Sequence, residues 1–140
     1  MKAYSLIFSS VLLTSSLLFS QNSGFTRIEM PQLNTGRIDP RAALLADGRL
    51  VVFGGHIPGF HRSNTAESIK EGDGAWTLHA MTDYRDNSAM VHLGNSKYLL
   101  AGGMSSSLGV GQLATTEIFD ATTNQFVAGA PMKVARTNCR

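Results

Sequence analysis

The residues best suited to chemistry crowd into one short stretch, His56-Ile57-Pro58-Gly59-Phe60-His61-Arg62, with further charges at Glu67, Arg85, Glu117 and Arg136. Imidazoles can hold a metal or move a proton. His56 and His61, however, lie in a Gly/Pro loop without fixed mutual geometry, and no carboxylate or cysteine is close in sequence to complete a shell. No metal or other cofactor is expected there, and the two are expected to be solvated loop histidines. Glu67 and Glu117 could in principle form a glycosidase pair. His79 and His92 sit at a strand end and near a strand, where packing or surface roles fit. Cys139 is the only cysteine, so no internal disulfide can form, and it has no histidine nearby in sequence to activate it. No catalytic set is assigned.

The elements that must position these groups come in repeats. Arg37 to Gly55 and Arg85 to Gly103 both span 18 residues, and Glu67 to Trp76 and Glu117 to Phe126 both span 9. Lengths drift only between these blocks, where loops belong, as in stacked supersecondary units. A third copy opens when Met81, Arg85 and Asn87 recur as Met132, Arg136 and Asn138, and Leu33 to Arg37 is an earlier echo. The expectation is a repeat region over 30–140 holding about two units and the start of a third of a longer protein. Glu67 and Glu117 then share one repeat position, which favours a scaffold role. Each carboxylate is expected to accept from backbone amides near the double glycine or to pair with a repeat arginine such as Arg37 or Arg85.

Each unit resolves into four short strands. In the first, Arg41 to Ala46 precedes an Asp47-Gly48 hairpin signal and the apolar run Arg49 to Phe53, which Gly54-Gly55 ends. Thr65 to Lys70 and Ala75 to His79 follow, separated by the Glu71 to Gly74 turn. The second unit repeats the order with Met90 to Leu93, Tyr98 to Ala101, Thr115 to Phe119 and Gln125 to Ala128. No helical period follows residue 20, so the fold class is all-β, in four-stranded antiparallel sheets.

Upstream, residues 1–20 carry a secretory-signal pattern: Lys2, an apolar run from Leu6 to Phe19 and the small Ser20 before Gln21. Cleavage near Ser20 is expected, which leaves 21–29 as an N-terminal segment and places the mature chain outside the cytoplasm, secreted or extracytoplasmic. The h-region is too short and serine-rich for a transmembrane span. Formal net charge is +2 with scattered basic residues, which gives no nucleic-acid footprint.

The runs Val51-Val52-Phe53-Gly54-Gly55 and Leu99-Leu100-Ala101-Gly102-Gly103, the downstream Trp76 and Phe126, and Ala130-Pro131-Met132 leading to Arg136 resemble the kelch repeat of β-propellers, a module of about 50 residues. The resemblance covers roughly 30–140. Ile69 stands where an aromatic usually follows the glutamate, and Phe126 where tryptophan is usual. It implies that Trp76 lies between neighbouring blades and that the loops after each double glycine, with the segments around Met81 to Arg85 and Met132 to Arg136, share one end of the propeller.

Kelch folds serve binding modules and enzymes alike. The reading favoured is an exported binding module that recognises a protein or glycan through His56, Phe60, His61, Arg62, Arg85 and Arg136, while Gly54, Gly55, Gly102, Gly103, Glu67, Glu117, Trp76 and Phe126 build the scaffold. The alternatives are a fragment of an exported carbohydrate-active oxidase or mutarotase and a structural adhesion repeat. Against a galactose-oxidase-like site, the copper-ligand tyrosine that this resemblance places two residues after the repeat arginine is Asn87 or Asn138 here, and Cys139 is not early in a strand.

Overall fold

The computed structural model describes residues 28–59, 61–105 and 111–138. The expected signal peptide (1–20), most of the 21–29 segment, Phe60 and Cys139 lie outside those residues.

Two four-stranded antiparallel sheets and one two-stranded hairpin account for the regular structure among the described residues from Pro31 onward. The first contains β1 (Arg41–Leu44) and β2 (Leu50–Phe53), followed after a small hairpin of β3 (His56–Ile57) and β4 (His61–Arg62) by β5 (Thr65–Ile69) and β6 (Thr77–Ala80). The second contains β7 (Ala89–Gly94), β8 (Lys97–Ala101), β9 (Thr116–Asp120) and β10 (Gln125–Ala128). In both, strands pair in chain order, β1-β2-β5-β6 and β7-β8-β9-β10. The all-β reading therefore holds, and the described residues contain no helix. The β3–β4 hairpin is an addition, built where Gly, Pro and His predicted only loop.

Turn chemistry explains the local register. Asn95 and Ser96, between Gly94 and Lys97, both take left-handed φ (48° and 58°), as a two-residue type I′ turn requires. Asp47-Gly48 signals a two-residue hairpin, yet the loop is one residue longer. Leu45 N donates to Arg49 O at 2.7 Å, and Gly48 (φ 85°) supplies the left-handed residue that closes it.

The main core lies between the sheets. Val51, Phe53 and Ala66 on one face of the first sheet meet Tyr98, Leu100 and Phe119 of the second, with Leu45, Met81 and Ala121 sealing the ends. Phe126, partly buried, joins a ring cluster in which its centroid is 4.8 Å from Phe119 and 6.0 Å from Phe53. Fully burying side chains of this size contributes about 1.5–3 kcal/mol each. At the hairpin end Arg49 crosses between sheets, donating to Asn124 Oδ1 and Ala121 O, both at 2.5 Å.

The packing is head-to-tail. The face that the first sheet buries here (Ala43, Val51, Phe53, Ala66) corresponds in repeat position to Val91, Leu99, Ala101 and Thr116 of the second. On that second-sheet face Val91 and Val127 are exposed, at 53% and 55%. Trp76 is buried, with its Nε1 donating to Pro31 O at 2.8 Å, and its repeat counterpart Phe126 sits between the two sheets.

Candidate functional site

Two polar constructions occupy the end of the sheets where the double glycines emerge. The first is repeated. Arg37 donates through Nη2 to Glu67 Oε1 at 2.7 Å and through Nη1 to the carbonyls of Gly54 and Thr65, both at 2.9 Å. Arg85 does the same one unit later, from Nε to Glu117 Oε1 at 2.8 Å and from Nη1 to the carbonyls of Gly102 and Thr115. The second carboxylate oxygen accepts Asn34 N in one unit and Thr82 N in the other, each at 2.8 Å. These amides lie three residues before the arginine, not beside the double glycine. Both pairs are fully buried, and the carbonyls and hydroxyls around them satisfy the remaining donors.

Arg85 is therefore corrected from ligand-binding candidate to scaffold. It is 1% exposed, and its guanidinium is consumed by Glu117, Gly102 and Thr115. Arg136, at the same repeat position, has an exposed side chain.

The backbone reproduces the same plan. Gly55 N donates to Arg85 O, Arg85 N to Ser63 O and Ser63 N to Gly55 O. Gly103, Arg136 and Leu113 form the equivalent cycle, with all six bonds between 2.8 and 3.1 Å. This close approach needs glycine: a Cβ on Gly55 (φ 92°) would lie 2.8 Å from Ile38 O. Asp39, Asn87 and Asn138, each two residues after a repeat arginine, all hold left-handed φ, a conformation that short polar side chains tolerate.

The second construction occurs once. Asp86, 1% exposed, receives Arg62 Nε on Oδ1 at 3.2 Å and faces His56 Nδ1 from Oδ2 at 2.8 Å. Arg62 is buried and its Nη2 also approaches Met104 Sδ at 3.9 Å, whereas the His56 side chain remains 27% exposed. The structure thus brings together two of the predicted loop residues, His56 and Arg62, through a carboxylate that sequence reasoning missed. His56 is not a freely solvated loop histidine. His61 projects from the same hairpin as an exposed residue, packed over Gly59.

Elsewhere, His79 Nε2 lies 2.8 Å from Ser68 Oγ, and burial, with Arg49 nearby, holds its imidazole below the ordinary value. His92 lies over the Tyr98 ring at 4.7 Å. No group of three or more His, Cys, Asp or Glu suited to a metal occurs among the described residues. Nor is any helix among them long and apolar enough to cross a membrane.

Geometry defines the class: an all-β protein of repeated antiparallel four-stranded sheets, stapled by buried Arg–Glu pairs and carrying one unrepeated charged cluster at its loop end. No protein-family model matches the chain, and no curated protein matches it in sequence.

Proposed function

We propose that this chain contributes blades to an exported kelch-type β-propeller and binds a protein or glycan through the end where His56 and His61 are accessible, over the buried Arg62. The propeller reading is supported by the head-to-tail packing and by the backbone of 132–136, which meets the second unit as 81–85 meets the first. A further four-stranded sheet on the Val91/Val127 face would bring a glutamate to Arg136, as Glu117 comes to Arg85.

The binding reading rests chiefly on one observation: a buried carboxylate shared by a buried arginine and a half-exposed histidine, in a place where the repeat itself does not require charge. Burying charge costs free energy unless it is well paired, so its presence at a loop end favours use over scaffolding. The test is to screen the full chain on glycan and peptide arrays. Loss of the recognised ligand in His56→Ala and His61→Ala, with the melting curve kept cooperative, is expected; unchanged binding in both would overturn the loop-end assignment. Export predicts a mature N-terminus at or near Gln21 by intact mass from a secreting host, and retention of Met1 would overturn it.

A further inference from the structure

Two aspartate-glycine steps lie in exposed turns of the first sheet, Asp47-Gly48 between β1 and β2 and Asp73-Gly74 between β5 and β6. Such a step can rearrange unaided. The glycine backbone nitrogen attacks the aspartyl Cγ, the carboxyl hydroxyl leaves with the amide proton as water, and a five-membered succinimide closes. Water then opens the ring at either carbonyl. Opening at Cγ restores aspartate, whereas opening at the backbone carbonyl leaves the main chain running through Cβ and Cγ, as isoaspartate. Glycine permits the reaction because no side chain hinders its nitrogen and its backbone rotates freely. A fold that engages that nitrogen and fixes the carboxyl blocks it.

We propose that Asp73-Gly74 is a site of spontaneous isoaspartate formation in the folded protein, while Asp47-Gly48 is held inert by its surroundings. The two turns differ at each reacting group. Gly48 N donates to Leu45 O at 3.0 Å. Asp47 Oδ1 accepts Arg49 N at 3.1 Å and its Oδ2 accepts Arg49 Nε at 2.7 Å, and that guanidinium is pinned in turn to Asn124 and Ala121 of the second sheet. Slight burial raises the Asp47 carboxyl, but the hydrogen bonds from Arg49 outweigh it and hold the group below the ordinary carboxylate value, which depletes the protonated form that loses water. Gly74 N, by contrast, has no hydrogen-bond acceptor among the described residues, and only one oxygen of Asp73 is engaged, Oδ2 by Lys70 N at 2.8 Å. A Cβ on Gly72 or Gly74 would meet nothing within 4 Å, so Asp73 sits between two unhindered glycines. The equivalent step of the second unit is Thr123-Asn124, so the scaffold does not require this dipeptide. The product bears on the first sheet. Its extra main-chain carbon lengthens the turn just before Trp76, whose indole N–H reaches Pro31 O, and before β6, which pairs with β5 from Thr77 opposite Ser68. Isoaspartate there loosens the seating of β6, independently of what the loop end binds.

The experiment ages the full chain at neutral pH, once folded and once in guanidinium chloride, and reads isoaspartate in the tryptic segments 71–85 and 42–49 by peptide mapping with isoaspartyl methyltransferase as the label. In denaturant both segments should convert at similar rates. In the folded chain 71–85 should keep most of its denatured rate, whereas 42–49 should slow by about tenfold or more, because that turn must open before it can react. Gly74→Val should silence 71–85 in both states: a Cβ there has open space and φ is not left-handed, so the fold accepts the change, while the branched side chain hinders the attacking nitrogen. In the aged folded fraction the amides of β6 should exchange with deuterium faster than in fresh protein, and unchanged exchange would overturn the effect on that strand. Silence of 71–85 in the folded chain while it converts in denaturant overturns the proposal, as does equal conversion of the two segments when folded. Conversion of 71–85 that persists undiminished in Gly74→Val would place the isoaspartate at Asp83 and overturn it as well.

Discussion

Phe53 of the first sheet and Phe119 of the second meet edge to face, centroids 5.4 Å apart and planes inclined at 73°, and both are at most 1% exposed. They are the closest ring contact across the two units, and they convert two marginal four-stranded sheets into one core.

Phe53→Ala is accordingly expected to cost about 3–5 kcal/mol in chemical denaturation, since it removes a packed ring and leaves a cavity. A double-mutant cycle with Phe119→Leu should return a coupling of about 0.5–1.5 kcal/mol for the edge-to-face geometry. A coupling indistinguishable from zero would mean that the rings merely share a cavity.

The buried Arg85–Glu117 pair should respond asymmetrically. Glu117→Gln leaves a guanidinium desolvated without its anion, and a loss of about 3–5 kcal/mol is expected. The double replacement Arg85→Met with Glu117→Leu removes both charges and should be less damaging than either single change, as measured by urea midpoint at constant m. Arg85→Lys should not rescue, because one ammonium cannot reach Glu117, Gly102 O and Thr115 O together.

How far these features were legible depends on whether they repeat. Gly54-Gly55 with Gly102-Gly103, and Glu67 with Glu117, announce themselves because one geometric demand is met twice at one spacing. The strands followed from alternation and turn residues, with boundaries shifted by one or two positions. Asp86 was invisible for the opposite reason: it lies 24 residues from Arg62 and has no copy at Ile38 or Thr137. The burial of Trp76 was legible, whereas the carbonyl that its indole N–H uses, at Pro31, lies 45 residues away and has no repeated signal. Arg85 misled in turn because an arginine on a connecting segment looks available until its four acceptor atoms are seen.

His79 should make stability pH-dependent on the acid side. Burial, followed by Arg49, keeps its folded-state value below the ~6.5 of the unfolded chain. Above ~6.5 the ring is neutral in both states. As pH falls below that, the unfolded chain takes up the proton more readily, so stability declines until the folded value is passed. His79→Gln, which can still bond Ser68 Oγ, should flatten this part of the pH profile. An unchanged slope between about pH 6.5 and 5 would assign the acid sensitivity to another group.

The apolar face of the second sheet gives the last prediction. Val91 and Val127 are exposed beside the half-buried Leu99 and Ile118, while the corresponding face of the first sheet is covered. Exposed apolar sheet surface of this kind drives association. Residues 21–140 are therefore expected to form oligomers or aggregates in light scattering at concentrations where most small domains are monomeric. Val127→Lys should shift the distribution toward monomer by placing a charge on the exposed apolar face. Arg136→Glu should do little in the isolated chain, because its side chain is already solvated. In a closed parent domain the same change would place two carboxylates together and destabilise the seam. A compact, cooperatively melting monomer of the unsubstituted chain would count against the stacked-blade reading, since the Val91/Val127 face would then need no cover.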